Sequence, residues 1–435
     1  TALSLSPLAL LTLAACGGTT SSGVAVTGTA QNGPLENAWA FLDLHHGAVA
    51  DSTFKGDGIF NSAADTAAGI TEVRVQTSST GTFAVTDLGV SDYTLAIETS
   101  DQTTSNLADG TRGELYGSGV VLKAPEGATM VTPATTMVTA IMVADPTNLV
   151  TAADAMADVA VALGFSATLD LNNFDAYKAP TGTAAEITAA KTLQFNMQQS
   201  NEQVMAVVKS FTSAGESAGV SSADAYNVAL KAVIDVVQAK VVALDNGAAA
   251  GGATTLLNFT TDMTTIFNDV SAKVLLAPGY DTAKAASFTD IVARAKTGLD
   301  VAVTQIKALV EPTTAAAVLA NAEVLSAVNV ITAQIEAAAE IITGGGSLAD
   351  AQALVTIVDA TTFNTVKNNP APEGMTLSGS TTVSTVENVT IAEDAASLVV
   401  GTVAGTDGFT TAGVAVGGAV VANETFTYAI VGGPT

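Results

Sequence analysis

The chain has 435 residues, more than one domain's worth at roughly 150 residues per domain, and its 15 Lys and Arg against 41 Asp and Glu give a net charge of −26. That balance argues against nucleic acid and anionic lipid headgroups as partners; it suits a salty medium, where screening reduces self-repulsion. Hydrophobic residues reach 48% but aromatics only 5%, the surplus being largely Ala and Val, so the chain can build real cores and disorder is not expected.

In chain order, the first feature is an apolar run from Leu3 to Leu13, closed by Leu13-Ala14-Ala15-Cys16 and followed by Gly17-Gly18-Thr19-Thr20-Ser21-Ser22. The run is too short for a membrane-spanning helix, which needs about 20 apolar residues. Cys16 is the only cysteine, so no intrachain disulfide can form. The arrangement resembles a bacterial lipoprotein signal with its lipobox. That resemblance implies that Cys16 is alkylated by diacylglycerol, that residues 1–15 are removed, and that the new N-terminus is acylated. Residues 16–23 would then be the lipidated cysteine and a flexible tether, and Gly17 rather than Asp after the cysteine implies outer-membrane retention. The alternative is a buried N-terminal strand with a chance cysteine. Signal segments carry a positively charged leader, yet the first Lys or Arg is Lys55 and the sequence does not begin with Met, so a few residues are expected to precede Thr1.

Residues 24–128 read as short strands separated by Gly, Asn, Asp and Ser clusters: Val24 and Val26, Ala38 to Leu42, Val73 to Gln76, Thr82 to Val85, Tyr93 to Ile97 and Val120 to Leu122. This spacing predicts an antiparallel β-sandwich. The order Val26-Thr27-Gly28-Thr29-Ala30, Pro34-Leu35-Glu36-Asn37-Ala38, Phe41-Leu42-Asp43, Thr80-Gly81-Thr82-Phe83, Leu88 and Tyr93-Thr94-Leu95-Ala96-Ile97 resembles the carboxypeptidase-regulatory-like, transthyretin-like sandwich of bacterial surface proteins. Such domains are usually spacers or binding modules and carry no catalytic residues.

From 129 to 368 the pattern turns helical and predicts an antiparallel all-α bundle. Thr183-Ala184-Ala185-Glu186 reads as a capping box, with weaker forms at Ser221-Ser222-Ala223-Asp224 and Ser347-Leu348-Ala349-Asp350. Between Ser222 and Leu244 the residues Tyr226, Leu230, Val233, Ile234, Val237, Val241 and Leu244 share one face. Further helices are predicted near 151–163, 254–276, 283–310, 314–343 and 348–360, stopped by Gly164, Pro278-Gly279, Glu311-Pro312 and Gly344-Gly345-Gly346. The stretch from Ala315 to Ile342 is interrupted by Asn321, Glu323, Asn329, Gln334, Glu336 and Glu340, so it is not expected to span a membrane. Val131-Thr132-Pro133 through Val138 resembles a junction that follows such sandwiches in large bacterial surface proteins.

Residues 369–374 form a Pro-rich linker, and residues 375–435 are Val/Thr/Gly-rich, alternating and free of Lys and Arg. Ile391-Ala392-Glu393-Asp394, Val399-Val400-Gly401-Thr402-Val403, Gly405-Thr406-Asp407 and Phe426-Thr427-Tyr428-Ala429-Ile430 resemble the opening strands of a cadherin-like repeat. The resemblance implies a partial β-sandwich in which Glu393 and Asp407 contribute to Ca²⁺ binding. Phe409 stands where the family has a second aspartate, and the later Asp-rich motifs are missing. A sandwich needs about seven strands, so further residues are expected beyond Thr435.

Catalytic signatures are sparse. His45 and His46 are the only imidazoles, and neighbours on a strand point to opposite faces; with Asp43 and Asp51 nearby they mark a metal site or, more simply, a loop at the sandwich rim. Asp57-Gly58-Ile59-Phe60-Asn61 followed by Asp65 has the spacing of a calcium loop, with Asp57, Asn61 and Asp65 as ligands, although Ile59 occupies a ligand position. The plain alternative is an Asp-Gly turn. There is no phosphate-binding loop, nucleophile elbow or His-Glu-x-x-His motif. Carboxylate pairs suited to glycoside hydrolysis are unavoidable among 41 acids, but carbohydrate clefts are aromatic and Trp39 is the sole tryptophan, read as core or rim. The expectation is a non-enzyme.

Together the resemblances imply a lipid-anchored protein of the bacterial outer membrane, exposed at the cell surface, forming the membrane-proximal part of an adhesin or stalk with Ca²⁺-rigidified repeats. Its expected partners are the membrane, through lipid, and a cell-surface protein or glycan. Two other readings stay open: a surface or periplasmic lipoprotein that captures glycan, peptide or a small molecule, and a structural subunit of an extracellular layer or filament.

Overall fold

Alternation sets the strands. Over Thr82–Thr86 only Phe83 and Val85 turn inward, whereas Trp39–Leu44 and Tyr93–Glu98 are almost wholly buried on both sides, Asp43 and Thr94 included. The computed structural model describes residues 25–44, 58–62, 67, 69, 71–86, 93–106, 113–144, 150–248, 251–252, 255–313, 315–357 and 359–368, with two short strands at 415–416 and 419–420.

The N-terminal strands are β1 (Ala25–Ala30), β2 (Leu35–Glu36), β3 (Trp39–Leu44), β4 (Arg74–Gln76), β5 (Thr82–Thr86), β6 (Tyr93–Glu98), β7 (Thr104–Ser105), β8 (Glu114–Leu115), β9 (Val121–Ala124) and β10 (Met130–Val131). They form a four-stranded sheet ordered β4-β3-β6-β9 and two three-stranded sheets, β10-β1-β5 and β2-β7-β8. All pairings are antiparallel except β1 with β10, which is parallel. Because β10 joins β1, the strand region runs past the change of texture at 128. The expected turn into β5 is present: Gly81 has φ 75° and its N–H donates to Ser78 O at 2.8 Å.

Helix α1 (Pro133–Ala144) begins with proline, whose missing N–H costs nothing in a first turn. Thr135 Oγ1 donates to Lys123 O at 2.9 Å and Thr136 Oγ1 accepts from Lys123 N at 2.8 Å. The first turn of α1 thereby closes the outer edge of β9, an edge that would otherwise offer unpaired backbone. After it come α2 (Ala152–Ala162), α3 (Ala184–Glu216), α4 (Ser222–Asp245), α5 (Phe259–Val274), α6 (Ala285–Lys307), α7 (Ala315–Thr343), α8 (Leu348–Leu354) and α9 (Ala360–Asn368). The chain thus carries β-sheets in its N-terminal region and a helix-rich region after them. A separate antiparallel pair, β11 (Ala415–Val416) with β12 (Ala419–Val420), lies in the C-terminal segment.

At 33 residues, α3 is about 50 Å long at about 1.5 Å per residue. Its second half packs against α4, α6 and α7 and buries Val204, Val207, Val208 and Phe211. On α4 the expected face is buried from Tyr226 to Val237, then fades: Val241 and Leu244 are half-buried and Val242 is 56% exposed. On α7 the residues Val324, Val328, Ile331, Ile335, Ala338 and Ile342 are buried at alternating spacings of four and three, as in knobs-into-holes packing. Ala320–Thr343 is long and apolar enough to cross a membrane, but this stripe faces the bundle while Asn329, Glu336 and Glu340 face solvent.

Burial raises the Glu216 carboxyl above its ordinary range. A carboxyl whose pKa is higher folded than unfolded holds its proton better in the folded state. Its ionisation penalty is therefore absent in acid and grows as pH rises through the folded pKa. Glu216→Gln is expected to melt above the parent at about pH 7 and level with it near pH 4, where both states are protonated. Equal melting temperatures at both pH values would contradict the burial of this carboxylate.

Candidate binding groove

β10 pairs only with Thr29 and Ala30, so the first four residues of β1 outrun it. Thr29 N donates to Thr129 O and Gln31 N to Val131 O, both at 2.9 Å. By the two-residue alternation of a strand, the peptide groups of Ala25 and Thr27 face that same side, with no strand beside them among the described residues. Thr129 N and Met130 N instead both donate to Asn172 O at 2.9 Å, which turns the chain away from β1.

The space left is an open groove of about 780 Å³, with Thr27, Gly28, Thr29 and Thr129 on one side and Asn173 to Asp175, Lys178 to Thr181, Ala190 and Gln194 on the other. Its far wall is held by side chains. Asp175 Oδ1 accepts from Gln31 Nε2 at 2.7 Å and from the backbone N–H groups of Tyr177 and Lys178 at 2.9 and 3.0 Å. Gln194 Nε2 donates to Lys178 O at 2.6 Å and Gln198 Nε2 to Ala176 O at 2.6 Å. Tyr177 Oη accepts from Gly33 N at 2.7 Å, and burial pushes this phenol far above its ordinary range.

Two further glutamines of α3 face the other way. Gln199 Nε2 donates to Ile306 O at 2.6 Å and Gln203 Nε2 to Val303 O at 2.9 Å, satisfying carbonyls near the end of α6. The four glutamines thus tie α3 to the groove wall on one face and to α6 on another. The floor is equally constrained. A Cβ on Gly28 would stand 2.6 Å from Phe83 Cζ and 2.9 Å from Thr129 O. Gly28→Ala is expected to cost about 1–3 kcal/mol by overpacking, read as a lower denaturant midpoint at unchanged m-value. A cost under about 0.5 kcal/mol, the scatter of surface substitutions, would show that the β1–β10 junction yields freely.

The loop with calcium-like spacing is built differently. Asn61 has φ 47°, its Oδ1 accepts from Glu72 N at 2.8 Å, and its N–H donates to Glu72 Oε2 at 2.8 Å. Glu72 Oε1 accepts from Leu44 N at 2.9 Å, and Asp43 Oδ2 from Gly58 N at 2.7 Å. Two buried carboxylates thus hold the loop through its own backbone, and the Asn61 side-chain oxygen is already engaged. Above the loop, the Arg74 guanidinium sits 4.3 Å from the Trp39 ring centre and 4.6 Å from that of Phe60. Trp39 is therefore a half-buried stacking partner at the rim. Cys16, His45, His46, Asp51, Asp57, Asp65, Glu393 and Asp407 lie outside the described residues. Among the described residues no group of three or more His, Cys, Asp or Glu is placed to hold a metal ion.

Sheets and helices meet in a continuous apolar core. At the joint Lys209 Nζ donates to Tyr116 O at 2.5 Å and lies 4.3 Å from the Tyr116 ring centre, while burial lowers its pKa. No family model, curated protein or solved structure matches the chain.

The groove escaped sequence reasoning because no motif marks it. The unread signal was Gln194, Gln198, Gln199 and Gln203, two pairs at i, i+4 on adjoining faces, beside a Pro-Thr-Gly-Thr helix entry.

Proposed function

We propose that this protein is a lipid-anchored bacterial cell-surface protein, the membrane-proximal base of an adhesin or stalk. The observation that carries this reading is Leu13-Ala14-Ala15-Cys16 at the end of a short apolar run. Acyl chains on Cys16 would hold the protein in the outer membrane, each buried CH₂ contributing about 0.8 kcal/mol, with Gly17 to Ser22 as the tether. The shared core of sheets and helices supports the role of a base, because it resists separation of the two regions. In this reading the N-terminal strands form a transthyretin-like sandwich. Residues 375–435 open a cadherin-like repeat in which Glu393 and Asp407 take Ca²⁺, and the distal contact is with a cell-surface protein or glycan.

The test is fractionation of a bacterium expressing the whole chain beside Cys16→Ser. The parent is expected in the outer-membrane fraction and the variant in soluble fractions. Equal membrane association of the two would remove the lipid anchor from the account. A second reading, capture of a ligand by a surface lipoprotein, is favoured by the groove beside β1.

A further inference from the structure

We propose that the groove beside β1 receives an extended strand, and that the strand is this chain's own Thr381–Thr390. The open edge presents the peptide groups of Ala25 and Thr27 two residues apart, about 6.6 Å along the strand. A neighbouring extended backbone supplies donors and acceptors at that same repeat, the basis of strand addition at a free edge.

The lining selects the occupant's side chains. Thr27, Gly28, Thr29 and Thr129 leave space for small and β-branched residues, and Thr381-Thr382-Val383-Ser384-Thr385-Val386-Glu387-Asn388-Val389-Thr390 contains almost nothing else. Its one charge, Glu387, complements Lys178, whose exposed ammonium makes no ion pair among the described residues. Residues 375–435 hold no Lys or Arg, so nothing in this region repels Lys178. The segment begins 13 residues after Asn368, a reach of about 43 Å when extended. It ends just before Ile391, so its docking leaves the cadherin-like strands free and fastens them to the base. The proposal does not depend on lipidation of Cys16.

The test is disulfide trapping in the whole chain with Cys16→Ser, which removes the only native thiol. Thr27→Cys is combined in turn with a single cysteine at each position from Val383 to Thr390, and products are identified by peptide mass. Directly opposed residues on neighbouring strands bring Cβ atoms to about 4.5–5.5 Å, near the range a disulfide requires. Trapping is expected at every second position, several-fold above the positions between. Lys178→Glu should reduce it several-fold, and adding Glu387→Lys should restore it. A monomeric product places the chain's own segment in the groove; products that are dimeric only would assign the groove to a second copy and overturn the proposal. Uniform trapping without alternation, trapping no greater than that of a control cysteine at exposed Leu276, or indifference to the charge exchange would each overturn the proposal.

Discussion

Phe211→Ala is expected to lower the unfolding free energy by about 3–5 kcal/mol, the range for a large aromatic removed from a well-packed interior. Phe211 is 0% exposed, and it lies on the half of α3 that packs against α4, α6 and α7. Three helices must move together to fill the space it leaves, and two of them are pinned elsewhere. Gln199 and Gln203 hold α6, and the Lys273 ammonium joins Asp235 of α4 to Asp269 of α5. Relaxation is therefore small and most of the cavity cost should persist. Denaturant unfolding followed by far-ultraviolet circular dichroism measures the loss; a value under about 1 kcal/mol, ordinary for an average substitution, would contradict α3 as the centre of the bundle.

The second large effect is expected at Glu72. Its side chain is only 3% exposed, and its two carboxylate oxygens accept from Leu44 N and Asn61 N. Glu72→Ala strands both N–H groups, at about 1–3 kcal/mol each when desolvated. The expected loss is about 2–4 kcal/mol, with faster amide exchange at Leu44 and Asn61. Glu72→Gln keeps one good acceptor and should lose less. Equal losses in the two variants would show that packing, rather than the paired acceptance, makes Glu72 matter.

Much of the fold was legible because it rests on local chemistry. Thr183 and Glu186 form the reciprocal capping box their spacing predicts, and Ser221 and Ser347 each accept from the N–H three residues on. Thr151 and Asp154 form a second full box that carries the same signature with Asp in place of Glu. The helix predicted over 348–360 ends at Leu354, and a separate helix, α9, starts only at Ala360 and runs beyond the predicted span; the Gln334 side-chain oxygen takes the N–H groups of Thr356 and Ile357 and draws the chain out of helical form. No local rule marks that contact across 22 residues.

The groove was harder to foresee. It exists because β10 begins only at Met130 and Asn172 O takes the amides of Thr129 and Met130, a competition decided by tertiary position. Asn61 shows the opposite case. Its residue type and spacing suited a ligand, yet its oxygen meets Glu72 N, whose place in the fold the local pattern does not carry.

The anchoring claim is tested most directly at the N-terminus of the mature protein. The whole chain, produced in a bacterium that processes lipoproteins, would be digested with trypsin and its N-terminal peptide weighed. Because no Lys or Arg precedes Lys55, that peptide runs to Lys55. The account predicts that it begins at Cys16 and carries a diacylglycerol thioether and an N-acyl chain, both lost in Cys16→Ser. A peptide that retains residues 1–15, or one with a free Cys16 thiol, would contradict it.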